Sequence, residues 1–283
     1  MSILIATLCI NEMEWLPKLY EQHRCWPGLT NWVFVEAADS HYALANPEMV
    51  TSEGLSVDGT SEYLARLAAR DSSVIYIPHG FSTHRDPAQG KCVARQRYLN
   101  VANATKPEYI LTLDADEFYL RADQQAILDL MNYKGKGARG FTFRYRNIWR
   151  PSSIADRPLF QLEVVGKFWE ILVCKFWRWK PSMSYSGNHN SPAINGILSN
   201  RSLRRFDRVP GTPEFIHMGF TSQPETRVAK NRYYVERGEG RTDHRGGYVK
   251  SRAAFENWKP GETLPNNDKI IIYRGPIPEV FYD

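Results

Sequence analysis

The sequence predicts an α/β fold of the Rossmann-like kind, a mostly parallel sheet flanked by helices that continues into a half of mixed strands. Three observations predict it. Short, largely apolar runs recur up to Leu113; helical patterns separate them; and the connections between them are short. That alternation gives a parallel sheet with crossover helices.

Ile3 to Ile10 is apolar and too short for a helix, so it reads as a buried strand. Trp15, Leu16 and Leu19 recur at helical spacing between Glu12 and Arg24. Trp32-Val-Phe-Val35 is a second buried strand. Asp58-Gly59-Thr60 punctuates the chain and opens a helix with Tyr63, Leu64, Leu67 and Ala68 on one face. Val74 to Ile77 is a third strand, Val93 to Ala104 a third helix and Tyr109 to Leu113 a fourth strand. After Leu130 the pattern changes. A basic glycine-rich loop from Lys134 to Gly140 leads into strands at Phe141–Arg146 and Phe168–Trp179, where aromatic and basic residues interleave. The tail from Lys259 to Asp283 is rich in proline and glycine and is expected to drape over the surface.

Composition bounds the class. A chain of 283 residues buries about 75% of its unfolded surface. Its 42% hydrophobic and 24% charged residues exclude a disordered protein. Mean hydropathy is −0.47, and the opening apolar run spans only Ile3 to Ile10, which excludes a transmembrane helix there. No basic segment precedes that run and Asn11-Glu12 ends it early, which argues against a secretory signal. Cys9, Cys25, Cys92 and Cys174 show no C-x-x-C spacing, so neither a zinc knuckle nor a disulfide framework is expected and the cytoplasm is the default location. A net charge of +5 suits phosphate-bearing partners without requiring them.

The sharpest chemical feature is Ile110-Leu-Thr-Leu-Asp114-Ala-Asp116-Glu117. An apolar strand ends in carboxylates, and residues two apart in an extended segment point the same way. Two carboxylates at the carboxyl edge of a parallel sheet are able to share Mg²⁺ or Mn²⁺ with phosphate oxygens. The same acids also serve simply as caps for the following helix. Context favours the site: Thr7, Asn11 and Glu12 follow the first strand, Glu36 ends the second, and Ala94-Arg95-Gln96 lies on the helix before the acidic strand. All fall along one carboxyl edge, where open α/β sheets bind ligands.

Taken in order, Thr7-x-x-x-Asn11-Glu12, Val35-Glu36 with Asp58-Gly59-Thr60, Ala94-Arg95-Gln96 and the Asp114-x-Asp116 motif resemble the N-terminal half of family 2 glycosyltransferases with a GT-A fold. Lys175-Phe-Trp-Arg178, Tyr185-Ser-Gly187-Asn-His189-Asn190 and Ile216-His217-Met-Gly219-Phe220, with Lys230 and Arg232 beyond, are similar to a bacterial subgroup. The resemblance extends to bacterial and phage members that glycosylate lipopolysaccharide core or DNA bases. It covers roughly residues 1 to 235. It implies one GT-A domain, with a nucleotide-sugar half (1–120), an acceptor half (121–235) and a C-terminal extension (236–283) packed on it.

The resemblance also implies a nucleotide-sugar donor, a UDP-sugar above all, with Mn²⁺ or Mg²⁺ and inverting transfer. Asp114 and Asp116 would hold the cation or the donor ribose, and His217 would complete the metal sphere or touch the diphosphate. Thr7, Asn11, Glu12, Glu36 and Arg95 would contact the nucleotide. Asn190 stands where relatives carry a glutamate, so the base is expected elsewhere, at Glu170 or His189. Each histidine also has a plain reading as a packed core residue.

Between residues 139 and 180 nine Lys/Arg face three acids, a local +6 that exceeds the whole chain's +5. Stacking aromatics and cations serve nucleic-acid sites, but aromatics also bind sugar rings. A hydroxymethylated base in DNA and a cell-surface glycan are both candidate acceptors. Two other readings compete. A nucleotidyltransferase would need a glycine-rich phosphate loop after the first strand, which is missing; a degenerate binder of nucleotide-sugar or nucleic acid would not need the intact acids and His217.

Overall fold

A computed structural model describes residues 1–82, 87–149, 160–163, 174–185, 192–194, 203–206, 211–219, 224–236, 269–272 and 275–281. The first half runs β1 (Ile3–Cys9), α1 (Leu16–His23), β2 (Leu29–Asp39), α2 (Ser40–Ala45), α3 (Thr60–Arg70), β3 (Val74–Ser82), α4 (Pro87–Thr105), β4 (Tyr109–Thr112), β5 (Glu117–Tyr119) and α5 (Arg121–Lys134). The second runs β6 (Gly140–Thr142), β7 (Arg144–Trp149), β8 (Phe160–Glu163), β9 (Cys174–Arg178), β10 (Met183–Ser184), β11 (Ala193–Ile194), β12 (Leu203–Arg205), β13 (Glu214–His217), α6 (Pro224–Glu236) and β14 (Lys269–Ile272).

The main sheet has seven strands in the order β12-β6-β9-β4-β1-β2-β3. Strands β4, β1, β2 and β3 are mutually parallel, and β9 alone runs against its neighbours. This is the expected mostly parallel α/β sheet. Side-chain alternation divides its apolar residues between two layers. Ile3, Ile5, Trp32, Phe34 and Leu111 face the side covered by α1 and α3, through Leu16, Leu19, Leu64 and Leu67. Leu4, Ala6, Val33, Val35 and Ile110 face α4 through Cys92, Tyr98, Leu99 and Ala102. With helices on both faces, uniformly apolar strands are what a parallel sheet requires.

A second sheet, β14-β8-β7-β13-β5, begins where the chain leaves the first. The expected single strand at Phe141–Arg146 is broken at Phe143, because β6 belongs to the main sheet and β7 to the second. Phe143 is buried at the junction, with its ring 5.7 Å from Phe176 and 5.4 Å from Phe206. The tail also differs from a surface drape. Val280 is buried, and the Phe281 ring lies 5.0 Å from Phe118 and 6.1 Å from Trp15. Burial of the aromatic ring and Val280 holds this part of the tail against the body.

His23 stitches α1 to β5. Its Nδ1 lies 3.0 Å from the Leu19 carbonyl, and its Nε2 accepts from the Tyr119 N–H at 3.0 Å, which requires the neutral ring. Burial pushes its pKa down to about 4. The unfolded chain therefore binds a proton that the folded chain refuses between about pH 6.5 and pH 4. Stability is full above that window and falls as pH drops through it, by up to about 3 kcal/mol from this residue. Urea unfolding at pH 7.5 and pH 4.5 checks this, with His23→Gln expected to show a shallower fall.

Candidate active site at the carboxyl edge of the sheet

β4 ends at Thr112 and β5 begins at Glu117, so Asp114 and Asp116 lie in the turn between two sheets rather than in an extended strand. The turn is closed by its own backbone: Glu117 N–H donates to the Asp114 carbonyl (3.1 Å), and Asp114 N–H donates to Glu117 Oε2 (3.0 Å). The two aspartates consequently meet different partners.

Asp114 takes Arg95 Nη2 at 3.0 Å from α4 and Lys175 Nζ at 3.3 Å from β9. Lys175 also lies 2.6 Å from Glu117 and sits over the Phe215 ring at 5.7 Å, with its side chain only 4% exposed. Burial alone would raise the Asp114 carboxyl; Lys175 and Arg95 outweigh it and hold it below the usual range. Burial raises Glu117 above its ordinary value, and Lys175 opposes that shift.

Asp116 takes Lys230 Nζ from α6 at 3.3 Å and lies 3.6 Å from His217 Nε2. Here too burial would raise the carboxyl, and Lys230 and His217 reverse it. Burial disfavours the charged ring of His217, but the Asp116 carboxylate outweighs this and raises its pKa. Two contacts set the pair: β13 places His217 opposite Glu117, and Met218 N–H donates to the Asp116 carbonyl at 2.7 Å. Lys230 also reaches Glu12 at 3.6 Å. Burial raises Glu12 to about 7, with Asp116 and Asp114 pushing the same way and Lys230 opposing. Four carboxylates (Glu12, Asp114, Asp116, Glu117) thus meet three permanent cations (Arg95, Lys175, Lys230) at one edge.

The structure brings Glu12, Arg95, Asp114, Asp116 and His217 together. Thr7, Asn11 and Glu36 are buried, each with partners of its own. Thr7 is fully buried and its hydroxyl accepts from Trp32 Nε1 at 3.1 Å. Glu36 is fully buried, accepting from Ser56 N–H and Ser61 Oγ at 2.7 Å and from the Tyr76 hydroxyl. Asn11, with a left-handed φ of 51°, donates to the Tyr42 hydroxyl and the Met49 carbonyl and accepts from Val57 N–H. Asn11 and Glu36 fix the loop that Asp58 and Thr60 tie back to Met13 and Glu12, while Thr7 holds Trp32. Lys175, Glu117 and Lys230 are parts of the site to which the sequence reading gave no role there. Glu170 and His189 lie outside the described residues.

Gly219 keeps the Asp116–His217 face open. A Cβ there would collide with Asp116 Oδ2 and stand 2.8 Å from His217 Nε2. Gly219→Ala is therefore expected to push the pair apart at little cost to the melting temperature, and a divalent cation held by that pair would bind about 10-fold or more weakly. Isothermal titration with Mn²⁺ beside a melting curve checks both halves. Among the described residues, no three His, Cys, Asp or Glu side chains are already gathered around one point. The carboxylate–imidazole pair of Asp116 and His217, with the space left by Gly219, would offer two donors to a divalent cation.

No family model of known proteins matches the chain, and no curated protein matches it. Among solved structures, TarS 1–349 of S. aureus is similar at a TM-score of 0.45 and 12% identity, over 83% of this chain and 65% of that one. The same protein in complex with UDP-GlcNAc gives 0.34 and 12%, over 56% and 39%. The mannosyltransferase PcManGT of Pyrobaculum calidifontis, in complex with GDP-Man and Mn²⁺, gives 0.33 and 20%, over 51% and 35%. The chain thus spans between 35% and 65% of the chains in these three comparisons. No helix among the described residues is long and apolar enough to cross a membrane.

Proposed function

We propose that the chain is a glycosyltransferase that moves a sugar from a nucleotide-sugar, a UDP-sugar first among them, to an acceptor hydroxyl with Mn²⁺ or Mg²⁺. One observation carries the reading: a turn at the carboxyl edge holds Asp116 beside His217 with Gly219 leaving room between them, while a second carboxylate, Asp114, is locked by Arg95 and Lys175. Asp116 and His217 would hold the cation. When bound, that cation supplies charge neutralisation for a leaving diphosphate.

The protein's own residues do the rest. Arg95, with only 9% of its side chain exposed, presents a fixed guanidinium that cannot be deprotonated. Held against Asp114, it is preorganised for negative charge, which costs no reorganisation during reaction. Asn11 and Glu36 fix the loop on which a nucleoside would rest, and Thr7 would contact it from the end of β1. The acceptor's proton goes to a group facing the anomeric carbon, and Glu170 and His189 are the residues proposed for that role, worth about 10²–10⁴-fold.

In the basic segment Lys175 is internal, and Arg146 and Arg178 pair with Glu214 and Glu108. That accounts for three of the segment's nine cations, and a glycan hydroxyl and a hydroxymethylated base in DNA both stand as acceptors. Hydrolysis of UDP-sugars with and without Mn²⁺ tests the donor, and metal-dependent release of UDP is the expected result. No turnover with any nucleotide-sugar would favour the binding-protein reading. A mobility shift with hydroxymethylated duplex, steeply dependent on salt, would move the acceptor to DNA.

A further inference from the structure

The two lysines at the acidic edge differ in kind. Lys175 is 4% exposed, bonded to both Asp114 and Glu117 and roofed by Phe215. It has nowhere to go. Lys230 is 31% exposed, and its contacts to Asp116 (3.3 Å) and Glu12 (3.6 Å) are made at the end of a flexible four-carbon stem.

We propose that Lys230 is the site's exchangeable cation: its ammonium neutralises Asp116 and Glu12 until a divalent ion binds Asp116, and then swings away. This rests on the reading of Asp116 and His217 as the divalent-cation end. Asp116 and Glu12 are largely buried, with side chains 9% and 12% exposed, so leaving them without counter-charge is costly, and Lys230 adds its cation to the His217 ring already facing Asp116. An ammonium and a divalent ion on the same carboxylate oxygen repel each other, so the two occupy it in turn. Asp114 offers no such exchange, because Lys175 and Arg95 hold it from buried positions.

The helix that carries Lys230 is anchored without it. Asn46 Nδ2 donates to the Ala229 carbonyl at 3.0 Å, Arg232 pairs with Glu48 at 2.7 Å, and the Tyr233 ring lies 5.9 Å from Tyr42. Release of the ammonium therefore leaves α6 docked on α2 and the loop that follows it.

The test is Mn²⁺ binding to the purified protein, read from the electron paramagnetic resonance signal of free Mn²⁺, with no donor or acceptor present. The variants are Lys230→Met, Lys230→Gln and Asp116→Asn. Removing the competing ammonium is expected to tighten Mn²⁺ binding about 5- to 10-fold in both lysine variants, while Asp116→Asn loosens it at least about 10-fold. Unchanged or weaker binding in the lysine variants, with Asp116→Asn still impaired, would overturn the exchange and leave the metal site standing. No binding by any form, or binding that ignores Asp116→Asn, would overturn the metal site and the exchange together.

Discussion

Replacing Asp116 by Asn is expected to cut nucleotide-sugar turnover by about 10³-fold, the scale of losing one preorganised electrostatic group at a reacting centre. The substitution keeps the volume and removes the charge. The bond from Met218 N–H to the residue 116 carbonyl (2.7 Å) is a backbone bond and survives it. Lys230 and His217 lose the carboxylate that both face, so the open side of the turn loses its anchor. UDP release, measured beside circular dichroism and a melting curve, separates this loss from unfolding. Turnover within a few fold of the wild type in a folded variant would contradict the site.

Lys175→Met is expected to destabilise the fold by about 3–5 kcal/mol, the usual cost of stranding a buried charge by removing its partner. The change leaves Asp114 with Arg95 alone and Glu117 without its 2.6 Å cation, in the turn that joins the two sheets. Urea unfolding checks it. A loss below about 1 kcal/mol would mean that Lys175 is solvated rather than locked.

Much of the main sheet was legible because a strand covered on both faces must be apolar throughout. Ile3–Cys9, Trp32–Val35 and Tyr109–Thr112 stand out for that reason alone. The continuation of β2 to Asp39 does not. Glu36 is a buried carboxylate inside a strand, and it is tolerated because Ser56, Ser61 and Tyr76 all donate to it. A reader of the sequence sees a polar residue and ends the strand there.

The acidic motif lies at the carboxyl edge, but not in the extended geometry its spacing suggests. Extended geometry would have aligned Asp114 with Asp116, whereas the turn separates them onto different cations. Lys175 looked like one of nine cations in a basic segment. Its true place follows from the antiparallel pairing of β9 with β4, which sets Phe176 beside Leu111 and brings a lysine 61 residues downstream onto Asp114. Lys230 depends likewise on how α6 docks. Contacts of that range arise from strand pairing and helix docking, which no local pattern records.

The most direct test of the proposed donor site is thermal stability across a panel of nucleotide-sugars, with and without Mn²⁺, in the wild type and Asp116→Asn. A ligand at 100 times its Kd adds about 2.7 kcal/mol to folding stability. The expected result is a Mn²⁺-dependent rise with one nucleotide-sugar, a UDP-sugar first, that Asp116→Asn abolishes. A rise that is the same in Asp116→Asn, or stabilisation by DNA with none by any nucleotide-sugar, would contradict it.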